Sequence, residues 1–134
     1  MIRILHITED HSAHNTGITS AVDALVRQVQ PALHPSVLST GNEAIPLPQG
    51  VTGVQLPIKG AARAWRASPG ASLILARQIQ EADVIHIHGA WMWVQWAAAR
   101  TAFKQHKPFL ISLHGMLEPW IWQRQNWRHW LKKK

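Results

Sequence analysis

The strongest indication of a parallel α/β fold is the stretch Pro108-Phe-Leu-Ile-Ser-Leu-His-Gly-Met-Leu-Glu-Pro-Trp120. Its apolar run, Phe109 to Leu113, ends abruptly on a titratable side chain, His114, and a glycine, Gly115. A helix-like segment follows, so the stretch predicts a strand that turns into a helix. Ligands bind at such turns in parallel α/β sheets, and His114 and Gly115 are therefore predicted to belong to a site.

The same order of residues occurs upstream, in Ala82-Asp-Val-Ile-His-Ile-His-Gly-Ala-Trp91. A strand is predicted from Asp83 to His88, and Gly89 follows it directly. Two predicted strands that both end in His-Gly indicate one shared site, because the carboxyl ends of parallel strands meet at one edge of the sheet.

Hydrophobic periodicity predicts the remaining elements. Strands are predicted at Ile2–Ile7, around Val37-Leu38 and near Val51–Leu56, and helices at 16–31, 69–81, 92–105 and 119–132. The buried face of the helix at 69–81 is predicted to consist of Leu73, Ile74, Ala76, Arg77 and Ile79. Strands that alternate with helices predict a mostly parallel sheet of order 3-2-1-4-5 with helices on both faces, a Rossmann-like α/β fold.

Composition limits the class of protein. The 134 residues suit one domain or half of a larger enzyme, and 46% of them are hydrophobic, which is enough for a core. Cysteine is absent, which excludes disulfides and thiolate zinc sites. No run of eighteen apolar residues occurs, so no membrane-spanning helix is expected, and the N-terminus is interpreted as a strand and not as a signal peptide.

The net charge of +7 is concentrated at one end of the chain. Residues 1–99 hold six lysines and arginines against six acidic residues, whereas residues 100–134 hold eight against one. Four of the eight tryptophans also lie in this last quarter. The stretch Trp120–Lys134 is a candidate for contact with an anionic membrane surface, and nucleic acid or an acidic partner domain are the alternatives.

The loop after the first predicted strand leads into a helix at Thr16-Gly17-Ile18. A helix start offers free N–H groups and a positive dipole end, which suit a phosphate or another anion. The Gly-x-Gly-x-x-Gly pattern of dinucleotide binders is missing, so Gly17 is equally well explained as a turn glycine.

The histidines are the main candidates for chemistry. His86 and His88 are two residues apart and share a face of their strand, but no third ligand with suitable spacing is visible, and no metal is expected. His86 is predicted to lie in the interior and His88 at the mouth of the site. His114 is the candidate catalytic residue, as a hydrogen-bond donor to a hydroxyl or phosphate or as an acid or base; a purely structural His-Gly turn is the alternative.

Three tryptophans follow the first His-Gly turn, at Trp91, Trp93 and Trp96. Their spacing does not form one stripe on a helix. Core packing is the default interpretation, and stacking of one of them on a sugar ring at the mouth of the cleft is the alternative.

Four segments together resemble the N-terminal half of family 4 glycosyltransferases, which have the GT-B architecture of two facing Rossmann-like domains. They are Met-Ile-Arg-Ile-Leu-His-Ile-Thr at the N-terminus, Thr-Gly-Ile-Thr-Ser-Ala-Val at the first helix, and the two His-Gly segments. The block His-Gly-Met-Leu-Glu-Pro-Trp from His114 is the most specific. The resemblance covers nearly the whole chain and is vaguest over Pro35–Ser68.

The resemblance implies transfer of a sugar from a nucleotide-sugar donor to a glycan or lipid-linked acceptor, with retention of configuration and without a metal. It also implies a role in cell-surface polysaccharide synthesis. The absence of cysteine fits a cytoplasmic location, and the basic end of the chain favours a peripheral position on the inner face of the membrane. The site residues that the resemblance implies are the following: His114 on the transferred sugar; Thr16, Gly17 and Ile18 near the donor diphosphate and acceptor; His88, Gly89 and Trp91 on the acceptor side; and Gly115 and Met116 beside the histidine.

The sequence departs from the family pattern in two respects. Many relatives have two adjacent glycines in the first loop, whereas here Asn15 and Thr16 precede a single Gly17. The C-terminal nucleotide-binding domain is not found in residues 1–134, so we expect a partial N-terminal domain without useful transferase activity alone. The alternative function is a stand-alone nucleotide- or anion-binding module; nucleic-acid binding is not expected.

Overall fold

A computed structural model describes residues 1–12, 16–30, 32–42, 47–58, 65 and 70–119. The helix predicted at 119–132 lies almost wholly outside these residues, as does most of the loop at 60–72. The elements are β1 (Ile2–Thr8), α1 (Thr16–Val29), β2 (Leu33–Thr40), β3 (Thr52–Leu56), α2 (Ser72–Glu81), β4 (Val84–His88), α3 (Trp93–Lys104) and β5 (Phe109–Ser112).

The five strands form one parallel sheet of order β3-β2-β1-β4-β5, which confirms the predicted topology. The first strand is central: His6 lies opposite Val37 of β2 on one side and opposite His86 of β4 on the other. On the outer side of β4, His88 lies opposite Ser112 of β5. This register places the carboxyl ends of β1, β4 and β5 next to one another.

One face of the sheet carries an apolar core under α2 and α3. Its strand residues alternate along the central strands, and the cluster includes Leu5, Ile7, Ile85 and Ile87, all of them almost fully buried. Alternation is expected because successive side chains of a strand point to opposite faces. From the helices, residues such as Leu75, Ile79, Val94 and Ala98 complete this core.

The other face is covered by α1. Ile18, Val22 and Val26 of this helix form a second buried cluster with Val37 of β2. On β1 and β4 this same face is polar, because it carries His6, His86 and His88 where the opposite face carries isoleucine and leucine. Helices thus cover both faces, as predicted, and the α1 side holds the buried polar groups.

The predicted buried face of α2 is partly wrong. Ile79 is buried as expected, but Leu73 is 83% exposed, and Ile74 and Arg77 are exposed as well. The side chain that packs with Ile79 is Leu75, one turn away. Five apolar or amphipathic residues in seven fit more than one helical stripe, and the spacing alone did not distinguish between them.

No helix in the described ranges is long and apolar enough to cross a membrane.

Candidate active site

The candidate site lies at the carboxyl edge of the sheet, where the chain leaves β4 and β5 through turns of unusual backbone geometry. Gly89 follows β4 with φ of +88°, and Gly115 has φ of +78°. Between β5 and Gly115, His114 itself is left-handed, with φ of +50°. Glycine adopts this region without strain, whereas residues with a Cβ atom adopt it less often.

The two His-Gly turns contact each other through Met116. A Cβ atom at Gly89 would lie 3.1 Å from the Met116 Cε atom and 2.9 Å from the Gln95 Nε2 atom, so only glycine fits there. Met116 also packs against the α1 cluster that contains Ile18. The turns after β4 and β5 therefore meet, and Met116 joins them to the cluster that α1 forms with β2, although these segments are far apart in sequence.

Gln95 fixes the end of β4 relative to α3. Its buried amide nitrogen donates to the His88 carbonyl at 3.1 Å, and its oxygen accepts from the Met92 N–H at 2.9 Å. At the other side of β4, the Gly89 N–H donates to the Ser112 carbonyl at 2.8 Å. The backbone that carries the first His-Gly turn is thus held on both sides.

Three imidazoles form a hydrogen-bonded chain from the interior to the surface. The His6 Nδ1 atom lies 3.0 Å from the His88 Nε2 atom, and the His88 Nδ1 atom lies 2.8 Å from the His114 Nε2 atom. His6 and His88 are 1% and 0% exposed, whereas His114 is exposed. His86 packs its ring on that of His88, with centroids 4.0 Å apart, and its Nε2 atom pairs with the Ser112 hydroxyl at 2.8 Å.

Burial keeps the inner rings neutral. Together with a smaller effect of nearby histidines, it lowers the pKa of His6 from 6.5 to about 4 and that of His88 to about 2. The pKa of His86 is also lowered, first by burial and then by His114. A charged imidazolium has little access to water here, so each inner ring carries a single N–H at neutral pH.

The prediction for His88 is wrong in one respect. This residue was expected at the mouth, but it is fully buried beneath His114, because the β5 turn extends past the end of β4 and covers it. His86 is buried, as expected. His114 is the imidazole that reaches the surface.

His6 was missed as a member of this group. It belongs there because the register places it directly opposite His86 on β1, on the same face of the sheet. The signal in the sequence was the alternation of side chains between the two faces of each strand. His6 stands between Leu5 and Ile7 just as His86 stands between Ile85 and Ile87. This signal becomes useful only when the pairing of β1 with β4, 80 residues later in the sequence, is known.

His6, His86 and His88 could in principle hold a metal, since donor atoms of all three lie within 4.8 Å of one another. Two of these rings share a hydrogen bond, and the third pairs with Ser112, so a metal would have to displace these contacts. Within the part of the chain that the structure describes, the cluster holds histidines and no carboxylate. The arrangement fits a hydrogen-bonded cluster better than a metal centre.

The loop after β1 supplies a further buried histidine. His11 is 3% exposed, and its Nε2 atom lies 3.2 Å from Asp23 Oδ1 of α1, at an angle that does not make a hydrogen bond. Gly17, at the start of α1, is exposed, and a Cβ atom there would meet none of the described residues within 4 Å. Neither packing nor φ in the described chain therefore requires glycine at this position. The side chain of Thr16 lies outside the described residues.

The three tryptophans after β4 have different environments. Trp91 is 48% exposed at the edge of the site, and its carbonyl accepts from the Trp65 Nε1–H at 3.0 Å. Trp93 packs against the core, as the default interpretation expected. Trp96 is exposed, and the Arg100 guanidinium lies 5.3 Å from its ring centroid, in cation–π contact.

The fold and the site together define a Rossmann-like domain whose candidate site lies at the carboxyl ends of its parallel strands. The sequence model of Glycosyltransferase Family 4 matches residues 15–134. The chain therefore belongs to glycosyltransferase family 4, and the resemblance noted from the sequence is confirmed.

The fold has a solved relative. The chain is similar to a UGT transferase from Siraitia grosvenorii, whose crystal structure is a complex with UDP. The superposition has a TM-score of 0.54 with 13% sequence identity, and it covers 85% of this chain but 24% of the other. At this identity the likeness establishes the fold alone. A search of curated proteins finds no significant match.

Proposed function

We propose that this chain forms the acceptor-side part of a retaining glycosyltransferase, which transfers a sugar from a nucleotide-sugar to a glycan or lipid-linked acceptor in cell-surface polysaccharide synthesis. Membership in glycosyltransferase family 4 supports the reaction class. The chain spans about a quarter of the length of its structural relative, so the activity of the whole enzyme is part of the proposal.

The observation that carries the proposal is the position of His114. This imidazole is exposed at the carboxyl edge of the sheet and is held from below by buried His88 at 2.8 Å. Ligands of open parallel sheets bind at this edge. An oriented imidazole there is suited to hydrogen-bond a sugar hydroxyl of the transferred group, the role proposed for His114.

The neighbouring turns are assigned to the rest of the substrates. Gly17 and Ile18, with Thr16, would approach the donor diphosphate, because free N–H groups at the start of α1 attract anions. Among the described residues, nothing lies within 4 Å of a Cβ atom placed at Gly17, which supports close approach of a ligand. Gly89 and the half-exposed ring of Trp91 would line the acceptor side, where a ring face can stack on a sugar.

Binding of sugar ligands tests the proposal with the 134-residue chain itself. Amide NMR spectra would be recorded during titration with UDP-glucose and, separately, with short oligosaccharides. We expect shifts at the turns after β4 and β5, and weaker binding of the sugar in His114→Ala. The matched control is His106→Ala, because His106 is also exposed and left-handed, with φ of +55°, but lies at the opposite edge of the sheet.

The outcomes separate the candidate functions. Sugar-dependent shifts that are lost in His114→Ala and kept in His106→Ala support the transferase assignment. Equal binding of nucleotide with and without a sugar, unchanged in His114→Ala, would support the stand-alone nucleotide- or anion-binding module instead. We propose that the 134-residue chain alone does not catalyse sugar transfer. Release of UDP from UDP-glucose at an ordinary rate by the purified chain would contradict this.

The basic end of the chain is proposed to lie near an anionic membrane. Residues 100–134 carry the whole net charge, and cationic side chains near tryptophans favour the surface of such membranes. Co-sedimentation with phosphatidylserine vesicles should occur at low salt and fall as salt screens the charges. Failure to bind such vesicles at low salt would defeat this part of the proposal.

A further inference from the structure

The chain of His6, His88 and His114 restricts where its protons lie. A neutral imidazole has one N–H and one lone pair, and each of the two hydrogen bonds needs one of each. Only two proton orders satisfy both bonds when all three rings are neutral. Either each ring carries its proton on Nδ1 and the bonds run outward, or each carries it on Nε2 and the bonds run inward.

His6, the buried end of this hydrogen-bonded series of imidazoles, distinguishes the two possible proton arrangements. The His6 Nε2 atom is fully buried and has no hydrogen-bond partner among the described residues. The outward order leaves a lone pair unpaired at this atom, whereas the inward order leaves an N–H unpaired. Orphaned N–H groups are the rarer case in protein interiors, so the outward order is favoured.

The surroundings keep this geometry fixed. The backbone of His88 is held by the Gln95 amide at 3.1 Å, and the ring of His86 packs beside it. The ring of His114 is held by its contact with the His88 Nδ1 atom at 2.8 Å. Its Nε2 atom is occupied by His88, so its Nδ1 atom remains for a ligand.

We infer that His88, backed by His6, is a positioning residue that holds His114 as the Nδ1–H tautomer, so that His114 offers a hydrogen-bond donor to an acceptor oxygen of the ligand. The identity of that ligand as a sugar rests on the proposed function. The tautomer does not, because it is a property of the free chain. It follows that His114 acts on a sugar hydroxyl or phosphate oxygen as a donor and not as a general base through Nε2.

Long-range ¹H–¹⁵N NMR spectra of the ligand-free chain at pH 7.5 test the inference directly. We expect a protonated Nδ1 and an unprotonated Nε2 in both His88 and His114, and a scalar coupling across the hydrogen bond between His88 Nδ1 and His114 Nε2. Exposed His106 is the internal reference for a ring that exchanges freely between tautomers. A protonated Nε2 in His114, or averaging like that of His106, would overturn the inference.

The variant His88→Phe keeps a ring of similar size but removes both nitrogens. His114 should then exchange between tautomers like His106, while His6→Phe should leave the tautomer of His114 unchanged, because His88 still donates to it. If His88→Phe does not fold, two results still test the inference. They are the scalar coupling between His88 Nδ1 and His114 Nε2 in the unmodified chain and the tautomer of His114 in His6→Phe. A fixed Nδ1–H tautomer of His114 in a folded His88→Phe would refute a positioning role.

Two further arms separate the competing explanations. Titration with Co²⁺ should give no stoichiometric histidine-ligated absorption; such a spectrum, with broadening of His6, His86 and His88, would replace the inference with a metal site. If sugar ligands bind, His88→Phe should weaken them about threefold to tenfold, the effect of one lost neutral hydrogen bond. Absence of sugar binding would reject the proposed function and leave the tautomer result standing.

Discussion

Acidification should destabilise this chain well above the pH at which its carboxylates titrate. Burial lowers the pKa of His6 to about 4 and that of His88 to about 2, from an ordinary value of 6.5. The titratable groups that lower these pKa values further are other histidines. They are His86 for both rings, and His6, His114 and His11 as well for His88. Below pH 6.5 the unfolded chain therefore binds protons that the folded chain excludes, and the free energy of unfolding falls as the pH falls.

The magnitude follows from the two pKa values of each ring. At pH 5 an unfolded histidine is almost fully protonated, whereas His6 and His88 in the folded chain are not, which costs about 2 kcal/mol for each ring. Together they would remove about 4 kcal/mol between pH 7.5 and pH 5, against a total stability of about 5–15 kcal/mol for an ordinary domain. The loss continues toward pH 4, where His6 begins to titrate in the folded state.

Urea unfolding at pH 7.5, 6 and 5, followed by circular dichroism, measures this dependence. In His6→Phe one buried imidazole is absent, so the slope of stability against pH should be reduced by about one proton's worth, roughly 1.4 kcal/mol per pH unit. His106→Gln, which removes an exposed imidazole, is the control and should keep the slope. Stability that is constant from pH 7.5 to pH 5, or a slope that His6→Phe leaves unchanged, would refute the reasoning.

Two further predictions test packing. Gly89→Ala should destabilise the chain by about 1–3 kcal/mol, because φ is +88° and the new Cβ would lie 2.9 Å from the Gln95 amide nitrogen; Gly70→Ala, with φ of +82° in open space, separates backbone strain from the clash and should cost less. Ile79→Ala should cost about 2–5 kcal/mol, whereas Leu73→Ala, at an 83% exposed position of the same helix, should stay within about 0.5 kcal/mol. Equal losses at the two helix positions would contradict the packing, and both pairs are measured by denaturant unfolding.

The sheet could be predicted because its signals are local. Apolar runs such as Phe109–Leu113, each followed by a polar or glycine turn, identify strands without knowledge of their neighbours. Alternation of these strands with helices then favours the parallel order that the structure confirms. The buried face of α2 was not local in this sense, because Leu73 and Leu75 are equally apolar and only the packing of the helix on the sheet distinguishes them.

The site was predicted in part for the same reason. His114 is recognisable from its position after an apolar run, but the burial of His88 depends on how far the turn after β5 extends over β4. His6 could be placed only with the register that sets it opposite His86. The wrong burial of His88 and the missed His6 both depend on how the strands pair, and the sequence of one strand does not specify its pairing.

The histidine cluster is costly for a buried sheet face. At the neighbouring positions Leu5, Ile7, Ile85 and Ile87 the same strands place apolar side chains, and a chain built for stability alone would do so on both faces. Neutral imidazoles at this depth need a partner for each nitrogen, and their burial makes the fold less stable on acidification. Among the described residues, the His6 Nε2 atom has no such partner. Such departures from local rules are expected where function requires them. In this fold the buried histidines fix the orientation of the exposed His114 ring at the edge of the sheet where ligands bind.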